Sequence, residues 1–184
     1  MTLKRAVNLV IIFTISLILF VIYVSYNNAE SMTQFYRNIE PSPKFSEMTL
    51  VDTIDVMMTG LKKQRPENQR SPMDVGFAFE THEFDSASKH KIHSWYIPNK
   101  KINKPLIILY HGYCGRKEQM LKTVELLADY GYGFLLIDFY GSGDSSGDNS
   151  SIGWKESFDV LASVEFAKTK LAANQIILYG TSMG

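Results

Sequence analysis

The sequence predicts an α/β fold: a mostly parallel sheet flanked by helices, entered through antiparallel strands and preceded by one membrane-crossing helix. Three observations carry this prediction. Short continuous apolar runs at residues 106–110, 134–137 and 176–179 suit strands buried on both faces. Stretches with helical apolar spacing separate them, and strands alternating with helices indicate a parallel sheet. Residues 6–26 form an uncharged, mainly apolar run near the N-terminus.

Composition narrows the function classes. Lys plus Arg and Asp plus Glu both number 19, so the formal net charge is zero. Nucleic-acid binding usually shows as a basic excess, and none is present. The 45% hydrophobic content is that of a globular chain, part of it concentrated in the N-terminal run. Cys114 is the single cysteine, so no internal disulfide can form. His82, His90, His93 and His111 are scattered, and His90-x-x-His93 in a strand-like stretch is a poor metal pair; these read as surface or internally satisfied histidines. Gly141-x-Gly143 lacks the third glycine of a dinucleotide loop, so neither metal nor cofactor is expected.

Residues 6–26 are long enough to cross a bilayer, which needs about 20 apolar residues. Lys4 and Arg5 precede the run, while Asn27, Asn28 and Glu30 follow it. Positive charge on the N-terminal side predicts a cytoplasmic N-terminus (residues 1–5), a signal anchor (6–26) and an extracytoplasmic remainder. The alternative is a cleaved signal peptide, whose apolar core is usually shorter and ends at a small-x-small site. Residues 27–72 read as a linker. Residues 31–43, with Pro41 and Pro43, look like a tether. Over residues 45–61, Met48, Val51, Ile54, Met58 and Leu61 recur at helical spacing, with Ser46 or Thr49 as the cap and Gly60 near the end. The plain expectation is a helix packed on the domain's own sheet; a helix on the membrane or over the site is the alternative. Residues 62–72, including Lys62, Lys63 and Arg65, read as a solvated loop, with contact to anionic lipid as the other reading.

The domain proper is expected over residues 73–184. Residues 76–84 and 91–97 alternate as antiparallel strands, joined by a hairpin at 85–88. The apolar run at 106–110 ends in His111-Gly112-Tyr113-Cys114-Gly115. A helix over 117–130 follows, with Gly131 beyond its end. The next strand, 133–139, opens into a turn-rich loop from Asp138 to Gly147. Trp154, Phe158, Leu161 and Val164 mark another helix. A buried strand at 176–179 then runs into Gly180-Thr181-Ser182-Met183-Gly184. That pentad fits G-x-S-x-G, in which a serine is held at a sharp turn after a strand and small residues flank it. In such sheets the loops at the strand C-termini gather on one edge.

On these three motifs the chain resembles the N-terminal half of an α/β-hydrolase. It is similar to membrane-anchored serine hydrolases of the BEM46-like or prolyl-oligopeptidase-like kind, over about residues 76–184. His111-Gly112 resembles the oxyanion loop. Residues 138–147 resemble the family's D-x-R-G-x-G-x-S-x-G loop, with Tyr140 where arginine is common. The resemblance implies acyl transfer to Ser182 as nucleophile, with the backbone N–H groups of Met183 and Tyr113 as oxyanion donors. It implies an acyl-ester, thioester or peptide substrate. His111 and Asp138 are expected to shape their loops rather than act as base or acid, and Cys114 to be a small buried filler. The family order places the acid and the histidine after the serine, so a fragment ending at the elbow is expected. The alternative is a non-catalytic, membrane-tethered remnant or interaction protein with a hydrolase-like fold.

Overall fold

The computed structural model describes residues 3–39, 45–87, 89–99, 101 and 104–184. Pro41 and Pro43 of the expected tether, and Ser88 of the expected hairpin, lie outside them. The chain divides into two units, residues 1–34 with 38–63, and residues 35–37 with 64–184.

The first unit is helical. Helix α1 (Leu3–Thr33) runs beyond the apolar stretch and takes in the first residues of the expected tether. It is long and apolar enough to cross a membrane, with a mean hydropathy of 2.8 over its most apolar window. Helix α2 (Leu50–Thr59) starts at Thr49 rather than Ser46. The Thr49 hydroxyl accepts the Asp52 N–H at 3.2 Å, and the Asp52 carboxylate accepts the Thr49 N–H at 2.8 Å. This reciprocal cap satisfies two amides that a helix start leaves unpaired. The helix ends at Gly60, where a positive φ of 76° suits a residue without Cβ. None of the ten residues of α2 is buried within its own unit.

The second unit holds a five-stranded sheet. Its strands are β1 (Glu80–Asp85), β2 (Lys91–Ile97), β3 (Leu106–Tyr110), β4 (Gly133–Ile137) and β5 (Ile176–Gly180). The spatial order is β1-β2-β4-β3-β5. β1, β2 and β4 are antiparallel neighbours, whereas β3 runs parallel to both β4 and β5. β3 and β4 are buried throughout, which is why their sequences are apolar at consecutive rather than alternate positions. Ile107, Leu109, Phe134 and Leu136 pack on one face with Leu121 and Val124 of helix α3 (Leu121–Leu127). Leu106, Ile108, Leu135 and Ile137 pack on the other with Ala167 of helix α4 (Glu156–Thr169).

Three expectations need correction. Among the described residues β5 is the last strand in the sheet's order, and Ile177, Leu178 and Tyr179 are exposed there rather than buried. The residues expected to mark α4 divide: Val164 packs against the core, but Leu161 and Trp154, which precedes the helix, are exposed, while Asp159, Ser163 and Ala167, four residues apart, face inward. Those buried polar groups are tolerated because they have partners. Ser163 hydrogen-bonds the Tyr110 hydroxyl at 2.9 Å, and Asp159 accepts from Ser86 at 2.6 Å. Finally, Arg65 is buried rather than in a solvated loop.

Candidate active site

The register of the parallel strands sets the site. Tyr110 is opposite Ile137 on one side and Gly180 on the other. The chain therefore leaves β3, β4 and β5 at one level, and His111, Asp138 and Thr181 emerge side by side on one edge of the sheet. The three sequence motifs are thereby brought together.

Ser182 has φ 57°, in the left-handed region that costs an L residue roughly 1–2 kcal/mol. The turn is closed by the Gly184 N–H donating to Thr181 O at 3.1 Å, with Ser182 at its first central position. The glycines follow from close approach. A Cβ on Gly180 would overlap the Gly184 carbonyl group, and one on Gly184 would meet the carbonyl oxygens of Tyr110 and His111 at 2.7 Å. Held this way, Ser182 is exposed to solvent. Gly112 lies against it: a Cβ there would stand 3.3 Å from Ser182 Cβ and 3.9 Å from its Oγ.

The loop after β3 is a tight turn. The Gly115 N–H donates to Gly112 O at 2.9 Å, and Cys114 occupies its third position with φ 55°. Cys114 is half-buried, not the fully buried filler expected. The Tyr113 ring stands 6.2 Å from that of Phe35. Burial first, then hydrogen bonding with Cys114, raises the Tyr113 phenol above its ordinary value.

His111 is fully enclosed, and both ring nitrogens are engaged. Nε2 accepts the Phe139 N–H at 3.1 Å, so Nδ1 carries the proton and donates to Gly112 O at 2.8 Å. Burial pushes its pKa down, against the Gly112 bond, and keeps the ring neutral. The Gly112 carbonyl belongs to the same planar peptide as the Tyr113 N–H. Two donors on that oxygen fix the plane and hence the direction of the N–H.

The loop over residues 138–147 is organised around buried charge. Asp138 accepts the backbone N–H of Lys117 at 2.6 Å, that of Asp144 at 2.9 Å and the Asn68 amide at 2.8 Å. The Lys117 ammonium lies 2.5 Å from both Asp138 and Asp144 and 4.4 Å from the centre of the Trp95 ring. Burial alone would raise the Asp138 pKa, but Lys117 outweighs it and holds the carboxyl below its ordinary value. A Cβ on Gly143 would overlap the Asp138 carboxylate, which explains glycine there.

The sequence reading missed the strap that holds these loops. The Arg65 guanidinium donates to the carbonyls of Gly143 at 2.6 Å, Ser145 at 2.5 Å and Gly147 at 3.0 Å. Glu118 accepts the Gln69 N–H at 2.6 Å and also binds Arg70 and Arg116. Burial opposes ionisation of Glu118, yet these bonds hold its pKa down to about 2. A groove of about 290 Å³ opens between the strap and the β3 loop, lined by Gln64, Glu67, Gln69, Cys114 and Arg116 among others. Among the described residues no His, Cys, Asp or Glu cluster is set to hold a metal ion. No described histidine or carboxylate hydrogen-bonds Ser182.

Residues 101–184 match the family model described as serine aminopeptidase, S33. An uncharacterized 31.7 kDa protein from the traX-finO intergenic region of Escherichia coli is 32% identical over 92 residues, covering 48% of this chain and 32% of its own length. The lysophosphatidylserine lipase ABHD12 of Rattus norvegicus is 28% identical over 92 residues, covering 49% of this chain and 23% of its own. The esterase Pf2001 of Pyrococcus furiosus superposes with a TM-score of 0.60 at 29% identity, over 65% of this chain and 49% of the esterase. The chain thus spans about a third of the first curated relative and half of the solved esterase. With this sheet order and these loops the chain has an α/β-hydrolase fold, and over residues 101–184 it is similar to serine hydrolases of that superfamily.

Proposed function

We propose that this chain is the nucleophile-bearing part of a membrane-anchored serine hydrolase that cleaves an acyl ester, thioester or peptide through an acyl-enzyme on Ser182. The observation that carries the reading is the strained, solvent-exposed Ser182 at a glycine-flanked turn, with Gly112 of the β3 loop against it. In the reaction, Ser182 Oγ forms a bond to the substrate carbonyl carbon and loses its proton to a base. The carbonyl oxygen takes up the charge and is met by the N–H groups of Met183 and Tyr113. The leaving group departs with a proton, and water then releases the acid and restores Ser182. His111 is not that base, since it has neither a free ring nitrogen nor a charge to offer; the order of the resembled family places the base and its orienting carboxylate after the serine. Helix α1 anchors the protein with residues 1–5 on the cytoplasmic side and the sheet domain across the membrane.

The relatives support an ester-type substrate, one being an esterase and another a lysophospholipid lipase by name. The test is hydrolysis of short-chain p-nitrophenyl esters and lysophospholipids by the protein purified from its native membrane. Turnover that vanishes in Ser182→Ala supports the reading. Turnover that persists in Ser182→Ala overturns Ser182 as the nucleophile, and no turnover on any acyl substrate favours the non-catalytic alternative.

A further inference from the structure

Helix α2 carries an apolar face that its own unit leaves uncovered. Leu50, Val51, Ile54 and Met57 are 83, 76, 60 and 67% exposed, and Leu50, Ile54 and Met57 lie three and four residues apart on one side. The more covered positions are Asp52, Thr53, Val56, Met58 and Thr59, three of the five polar. The helix is therefore turned with its apolar side outward, the reverse of a helix that serves a globular core.

Its place along α1 indicates what covers that side. α2 is tied to α1 at its C-terminal end. Asn28 Nδ2 donates to Met57 O at 3.1 Å, and Gly60 lies so close to Ser31 that a Cβ would overlap the hydroxyl. The uncharged run of residues 6–26 is about 30 Å long as a helix, the thickness of a bilayer's hydrocarbon core. Asn28 and Ser31 then lie roughly 3–8 Å beyond the end of that core, at the headgroup level. From this geometry we infer that α2 is an interfacial helix, lying on the membrane that α1 spans with Leu50, Val51, Ile54 and Met57 sunk among the acyl chains. α2 carries Asp52 and Asp55 and no basic residue, so its occupant is the apolar part of the bilayer rather than an anionic headgroup. The inference rests on reading α1 as the membrane span.

The test uses the full chain, with Cys114→Ser, reconstituted in neutral phosphatidylcholine vesicles. A single cysteine is placed by Ile54→Cys or Asp55→Cys and labelled with an environment-sensitive fluorophore. Lipids brominated on the acyl chain should quench the label at 54 about threefold more than the label at 55, with blue-shifted emission. Equal, water-like emission at both sites, in a chain that resists alkaline extraction, overturns the interfacial helix while leaving the anchor intact. A label at 54 shielded from both water and brominated lipid overturns it too, and points to a protein occupant such as a second copy. A chain released by alkaline extraction overturns the anchor reading itself.

Discussion

His111 joins the two loops that flank Ser182: its Nε2 accepts the Phe139 N–H at 3.1 Å while its Nδ1 donates to Gly112 O at 2.8 Å. The second bond grips the peptide that carries the Tyr113 N–H. On the proposed mechanism His111 is a positioning residue, acting on the Tyr113 N–H from behind. Replacing it with Ala should leave KM nearly unchanged and lower kcat by about 10²-fold, the order expected when one oxyanion donor is lost or misaimed. Steady-state kinetics on an ester substrate check this, and an equal rise in KM would contradict it.

Ser182 sits at φ 57°, a conformation that glycine adopts freely and alanine does not. Ser182→Ala and Ser182→Gly should both abolish turnover. Ser182→Gly should nevertheless be the more stable, by about 0.5–1 kcal/mol once glycine's greater unfolded-state freedom is set against the relief of strain. Thermal melting of the two variants in one detergent measures the difference.

Arg65 places three donors on the carbonyls of Gly143, Ser145 and Gly147, and the fork of a guanidinium matches that spread. Each hydrogen bond to a charged group contributes about 1.5–3 kcal/mol, so Arg65→Met should cost several kcal/mol. Arg65→Lys should recover little, because one ammonium cannot reach three carbonyls in a plane. Full recovery by lysine would show that charge alone matters there. Lys117→Met should be at least as damaging, about 3–5 kcal/mol, because it leaves the Asp138 carboxylate buried without its cation.

Acid should destabilise the domain in two stages. The buried His111 ring resists a proton that the unfolded chain accepts near its ordinary 6.5, so stability begins to fall below that pH. Asp138, Glu118 and Glu156 have folded pKa values below the ordinary carboxylate range, Glu118 down to about 2. Their contribution is present above about pH 4.5 and is lost as pH falls toward 2. Asp159 has the opposite sign: burial raises its pKa, so it weakens the fold as pH rises past 3.8. Melting temperature against pH should fall between 6.5 and 5, and more steeply below 4.5. The first stage should disappear in His111→Ala.

The parts of this account that were legible in the sequence are local ones. A strand running into G-x-S-x-G, a glycine-rich loop opening on Asp138 and a continuous apolar run before His111 each carry their geometry within ten residues. The roles of Arg65 and Lys117 were not legible, because their partners lie far along the chain. Arg65 binds carbonyls some 80 positions away, and a carbonyl has no signature in sequence. Lys117 looked like the start of a helix, whereas two carboxylates and the Trp95 ring make it the most enclosed cation among the described residues. The inward side of α4 was legible only in part, through Val164, for a related reason. Asp159 and Ser163 are buried because Ser86, Tyr140 and Tyr110 wait for them, which helical periodicity of apolar residues cannot reveal.

The central claim is that Ser182 is the nucleophile, and the most direct measurement is covalent labelling. Protein purified from its native membrane would be treated with a fluorophosphonate, digested and read by mass spectrometry. The account predicts a single adduct on the peptide bearing Ser182, absent after heat denaturation and absent in Ser182→Ala. Labelling of another residue, or none in native protein of confirmed fold, would contradict it.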